Sequence, residues 1–154
     1  MILPVLLYTN KILNAPCKPV IDFNDPTLEV LISDMLETMV AYNGVGLAAN
    51  QIGINLQVCV LDVEERTKKM ALINPIIIGY SKKKVKLNEG CLSVPGVSVT
   101  MKRPESVIVD ANLLTGELTR YEFTNYDARI FFHEYSHLQG HTITGSLKNY
   151  VPLL

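Results

Sequence analysis

The chain has 154 residues, 48% hydrophobic and 19% charged, which suffices for a buried core without disulfides and is too apolar for a disordered segment. Fourteen Lys plus Arg oppose fifteen Asp plus Glu, and a formal net charge of −1 makes no electrostatic case for direct nucleic-acid binding or a membrane surface. The three cysteines, Cys17, Cys59 and Cys91, suit a reducing compartment, and no apolar stretch approaches the roughly 20 residues of a membrane span.

Residues 1–26 read as irregular, punctuated by Pro4, Pro16, Pro19 and Pro26. The apolar start lacks a charged segment and is broken by Pro4, so it does not read as a signal peptide. A soluble cytoplasmic protein is expected. Thr27 is placed as the cap of a helix through Tyr42, whose Leu28, Leu31, Ile32, Met35, Leu36 and Met39 share one face. Asn43-Gly44 ends it, and GVGLAANQIG (44–53) reads as too short and glycine-rich for a regular element. Strands are predicted over 56–63, 71–80, 83–88, 97–102, 106–114 and 117–123, with a turn at Thr115-Gly116. Lys82-Lys83-Lys84 reads as a solvated hairpin tip. A second helix is predicted over 125–139, capped by Thr124 with Asp127 in a capping box and ended by Gly140. The tail shows no long periodic segment. The fold class is therefore α+β, with antiparallel strands around a central helix in a single domain, 1–154.

That second helix carries HEYSH. His133 and His137, four apart, share one helical face, and Glu134 follows the first of them. Buried imidazoles and a buried carboxylate cost free energy unless paired or bound to a metal. The pattern therefore points to a divalent ion, with Glu134 placed to take a proton from water activated there. The third ligand is open. A metzincin continuation would need histidine at 143, where Ile143 stands, and nothing acidic follows Glu134. His141 lies beside the helix-ending glycine. Upstream, Cys91 in NEGCLSVPG is a soft candidate in a constrained turn, although a lone cysteine is commonly a small buried hydrophobe. GVGLAA also matches a dinucleotide-binding spacing, with Asp62 downstream. It follows a helix instead of a strand, so it reads as a loop built for close backbone approach, with Gln51 at its edge.

Taken in order, GVGLAANQ, EGCLS and HEYSH resemble the three signature motifs of the peptide deformylases, and the similarity extends over roughly residues 1–145. The resemblance implies an enzyme that removes the N-formyl group from formyl-methionyl nascent peptides, releasing formate. It implies that Cys91, His133 and His137 bind one divalent metal, natively Fe(II), with zinc or nickel able to occupy the site. It makes Glu134 the general base and acid in the attack of metal-activated water, and Gln51 with the Leu92 N–H the stabilisers of the tetrahedral oxygen. The substrate would lie extended along Val45, Gly46 and Gly90, its methionine between Val45, Tyr126, Ile130 and His133. Glu89 and Arg103 are placed as a supporting ion pair. Two departures stand out. Ser136 occupies a position where the family usually has Asp, and residues 142–154 are too short for the long C-terminal helix of many bacterial members. The tail resembles shorter phage and organellar forms. Proximity to the ribosome would then be transient and made without that helix. A bacterial or phage-infected host cytosol is the expected location, with an organelle the alternative if a transit peptide has been removed.

Overall fold

A computed structural model describes residues 1–144 and the backbone of 150–151. Helix α1 spans Pro26–Ala41. Its cap is Asp25, not Thr27: the Asp25 carboxylate accepts the Thr27 N–H at 2.9 Å. Pro26, whose fixed φ suits the first helical position and which has no N–H to satisfy, moves the start upstream. Asn43 ends the helix at φ 56, and Gly44 donates to the Met39 carbonyl at 2.9 Å.

The glycine segment is more regular than its composition suggests. Gly46–Ala48 form a short strand, β1, and Ala49–Ile52 a 3-10 turn. β1 pairs antiparallel with β2 (Val58–Val63), Gly46 opposite Leu61, so tertiary pairing overrides weak local propensity. β2 then pairs with the long β3 (Lys68–Tyr80). β3 bends at Asn74, φ 51, whose side-chain amide bonds both the N–H and the carbonyl of Val20 at 2.8 and 2.9 Å. This accounts for the ALINP interruption: Asn74 continues the pairing with the N-terminal segment where Pro75 has no N–H to give.

After β3 the chain leaves its sheet. β4 (Lys84–Cys91) pairs with β5 (Val94–Pro104), and β5 with β8 (Tyr150–Val151), in a separate three-stranded sheet. Lys82-Lys83-Lys84 is thus a crossing between sheets and not a hairpin tip. The return crossing at Glu105 runs beside it, with the Glu105 N–H on the Lys83 carbonyl at 3.0 Å. β6 (Ser106–Asn112) and β7 (Leu118–Thr124) complete a five-stranded sheet in the order β1-β2-β3-β6-β7, and Gly116, φ 89, makes the turn between them. In the tail, 145–149 and 152–154 lie outside the described residues.

Helix α2 spans Asn125–Leu138. The expected capping box is absent: Thr124 makes no side-chain cap bond, and Asp127 instead accepts the Glu64 N–H. α2 packs on one face of the five-stranded sheet, burying Phe131 and Leu138 against Cys59, Leu61 and Val109. α1 covers the other face, with Met35 and Met39 against Val58, Val60 and Ile73. β2 is therefore buried on both sides, which explains why VCVLDV shows no polar alternation. The class is α+β with antiparallel sheets, as expected. Among the described residues no helix is long and apolar enough to cross a membrane.

Candidate active site

Two elements deliver the three predicted metal ligands. β4 ends at Cys91, where a register shift after Gly90 starts the tight connection to β5. α2 presents His133 and His137 one turn apart. His137 Nε2 lies 3.3 Å from Cys91 Sγ and 3.2 Å from His133 Nε2, and the three donor atoms all fall within 4.8 Å of one another. Tetrahedral bonds of about 2.05 Å to nitrogen and 2.3 Å to sulfur place ligand atoms roughly 3.3–3.6 Å apart. These residues could hold a divalent ion, and a thiolate with two imidazoles suits a transition metal or zinc. His141 is exposed at the helix end and stays outside the cluster, as does Ile143.

The charges around the cluster also suit a cation. Burial alone would lower the His133 pKa, but hydrogen bonds to Cys91 and Glu89 and the nearby Glu134 charge raise it to about 10. His133 must give up this proton to serve as a ligand, so a metal binding there would release it. Burial and the proximity of His133 push His137 well below its ordinary value, leaving it a neutral imidazole, as a ligand must be. His137 Nδ1 is buried with no partner among the described residues.

Glu89 orients this centre from behind. Its Oε1 meets His133 Nδ1 at 3.1 Å, Arg103 binds both of its oxygens at 2.6 and 2.8 Å, and Arg129 reaches Oε2 at 2.5 Å. Burial works to raise the Glu89 pKa, yet the bonds from His133 and Arg103 outweigh it and hold the carboxyl at about 2. The expected Glu89–Arg103 pair is present. Ser136 accepts from Arg103 at 3.3 Å and donates to the Phe132 carbonyl at 2.8 Å.

Glu134 lies against β1. A Cβ on Gly46 would stand 2.5 Å from Glu134 Oε1, so only glycine admits the carboxylate here. Burial, chiefly, raises the Glu134 pKa to about 7; His133 and Arg103 oppose the rise and Glu89 adds to it. Its Oε2 has no partner among the described residues. Gln51 is fixed at both ends. Its Oε1 accepts the Ala48 N–H at 2.9 Å, which turns Nε2 toward Ser93 Oγ at 3.1 Å and Cys91 Sγ at 3.7 Å.

A cavity of about 360 Å³ opens over these groups. Cys91, His133, Glu134, Gln51 and Leu92 line it, and so do Val45, Gly46, Gly90, Tyr126 and Ile130. Only His137 of the predicted site residues is absent from its wall, and its Nε2 meets the other two ligands from below. Sequence reasoning missed Arg129, Ser93 and Asn50, whose amide donates to the His137 carbonyl at 2.7 Å. Arg129 carried a usable signal: it precedes His133 by one helical turn, on the buried side of α2.

Comparison with known proteins agrees with this geometry. Residues 2–151 match the family model for polypeptide deformylase. The chain is 40% identical over 149 residues to peptide deformylase 1 of Bacillus cereus, covering 97% of this chain and 94% of that protein. It is 40% identical over 154 residues to the peptide deformylase of Aquifex aeolicus, covering 97% and 90%. The crystal structure of peptide deformylase from Thermotoga maritima superposes with a TM-score of 0.90 at 35% identity, over 99% of each chain. The fold, with a Cys91–His133–His137 cluster that could hold a metal ion, defines a hydrolase of the deformylase class. The chain belongs to the polypeptide deformylase family and is an enzyme of that kind.

Proposed function

We propose that this protein hydrolyses the N-formyl group of formyl-methionyl nascent peptides, giving formate and a free amino terminus. The observation that carries the reading is the convergence of Cys91, His133 and His137 beneath a peptide-sized cavity, with Glu134 beside them, its buried Oε2 without a partner among the described residues. A divalent ion there, which we assign as Fe(II) with zinc or nickel able to replace it, supplies Lewis-acid polarisation and makes water nucleophilic near neutral pH. Glu134 takes a proton from the attacking water as its oxygen bonds to the formyl carbon, then gives it to the leaving amine as the C–N bond breaks. A carboxyl titrating near 7 suits both directions of transfer. Gln51 Nε2 and the Leu92 N–H donate to the oxygen that gains charge. The peptide lies extended beside Gly44–Gly46 and Gly90 as an added strand, with its methionine side chain between Val45, Tyr126 and Ile130. The substrate sets the workplace: wherever formylated chains emerge, in a cytosol or an organelle.

The test is formate release by Fe(II)-loaded protein from formyl-Met-Ala-Ser, with the unformylated peptide as control. Formate from the first and no cleavage of the second is expected. Glu134→Ala should lose about 10²–10⁴-fold in kcat while keeping its metal. An Fe(II)-loaded wild type that releases no formate overturns the reading.

A further inference from the structure

The cavity rim carries a cation with no ion-pair partner among the described residues. Arg66 is exposed and lines the cavity together with Asn43 and Gly44. Its guanidinium donates to the Asn43 side-chain oxygen at 3.0 Å and to the Asn43 carbonyl at 3.2 Å. Both acceptors are neutral. Among the described residues no carboxylate forms an ion pair with Arg66, whereas the other arginine in the wall, Arg129, is matched by Glu89. The nearest acid in sequence whose partner is defined, Glu64, faces Lys68 at 3.8 Å.

The backbone beneath Arg66 is held in an unfavourable shape. Glu64, Glu65 and Arg66 all have positive φ, 52, 58 and 64°, and none is glycine. Such residues persist only where their surroundings fix them. Here Asp127 on α2 accepts the Glu64 N–H, and Thr67 closes the turn onto the Val63 carbonyl at 3.1 Å. Asn43 sits at positive φ as well, at the end of α1. Two left-handed turns from distant parts of the chain are thus joined by the Arg66–Asn43 bonds, which station a fixed positive charge at the cavity mouth. A peptide with its formyl group over the cluster and its backbone beside Gly44–Gly46 leaves the cavity past this charge.

We propose that Arg66 determines specificity by recognising a carboxylate on the peptide just beyond the formyl-methionine. The carboxylate belongs either to an acidic side chain at the second or third residue or to the free end of a short peptide. The proposal rests on the deformylase reading and names the substrate subset that reading leaves open. Arg66 is stationed by neutral acceptors only, so its charge is available to a ligand, and a guanidinium matches a carboxylate geometrically.

The test compares formyl-Met peptides with Asp, Asn or Lys at the second or third position, each as C-terminal amide and as free acid. For the amides, kcat/KM should favour Asp over Asn by about two- to fivefold, carried by KM, the range of an exposed ion pair. The preference should vanish in about 1 M salt, where the Debye length is roughly 3 Å. Preference for Asp among the amides identifies the side chain as the source; preference for acid over amide identifies the terminus. Arg66→Glu should invert the order toward Lys, and Arg66→Lys should retain it. Equal kcat/KM across all wild-type pairs, or an order that R66E leaves unchanged, overturns the proposal. Formate release from the neutral peptide in that case leaves the deformylase reading standing; no release from any peptide overturns both.

Discussion

At the scale of single residues, one carboxylate holds more of the site together than the catalytic motif suggests. Glu89 is buried against two guanidinium groups and an imidazole, so its loss strands cations that cannot reach water. Glu89→Gln should destabilise the protein by about 3–5 kcal/mol at pH 7, the cost of breaking a buried pair. The pH dependence has a definite sign. The folded pKa, about 2, lies below the ordinary 4.5, so the Glu89 contribution is complete above about 4.5 and is lost as pH falls toward 2. Urea midpoints for wild type and variant should therefore converge on acidification, and a gap that stays constant from pH 7 to pH 3 would show that Glu89 is not the titrating support. Much of the site was legible at this scale. His-Glu-x-x-His is a local pattern on one helical face, and the three ordered motifs supplied Cys91. Arg129 could be placed on the buried side of α2 one turn before His133, but its partner could not, nor could Ser93 or Asn50 be read at all, because each acts on a residue distant in sequence: Arg129, Ser93 and Asn50 bond to residues 40, 42 and 87 positions away. An arginine or asparagine alone carries no sign of such a partner.

At the scale of elements, the informative contact is β1 against α2. The sequence reading described 44–53 as a loop permitting close approach, and the approach is real, but what approaches is the Glu134 carboxylate and what permits it is a strand. Gly46→Ala keeps a backbone that any residue can adopt in a strand and inserts one methyl group where Glu134 lies. The variant should fold and retain metal, since the atoms nearest the added methyl all belong to Glu134, yet lose about 100-fold in kcat, the scale of a 1 Å misplacement of a catalytic group. Metal analysis alongside turnover checks this; wild-type turnover would mean that Glu134 need not stay where it lies. Longer elements were read well where one chain segment decides them. The Met35 and Met39 stripe and the unbroken VCVLDV run both anticipate burial. The division into two sheets was not readable: β3 and β4 are equally strand-like, and only β4's pairing with β5 and β3's with β6 sends the chain across.

That division matters at the scale of the whole molecule. Cys91 comes from the end of β4 in the three-stranded sheet, while His133 and His137 ride on α2, which packs on the five-stranded one. A cation in the cluster would therefore join the two sheets as well as serve chemistry, beside protein links such as Arg129–Glu89 and Gln51–Ser93. A ligand that binds only the folded state adds stability by mass action, about 4 kcal/mol at a thousandfold excess over Kd. For a domain of this length each kcal/mol moves Tm by roughly 2–4 °C, so chelation should lower Tm by about 8–16 °C. Cys91→Ser weakens one of the three bonds and the bridge between sheets with it. That variant should start at a lower Tm with metal present and respond little to chelator. Scanning calorimetry on both proteins, with and without chelator, separates a bridging ion from an ion held by α2 alone. In the second case Cys91→Ser would keep the full chelator response, because both histidines would still hold the metal.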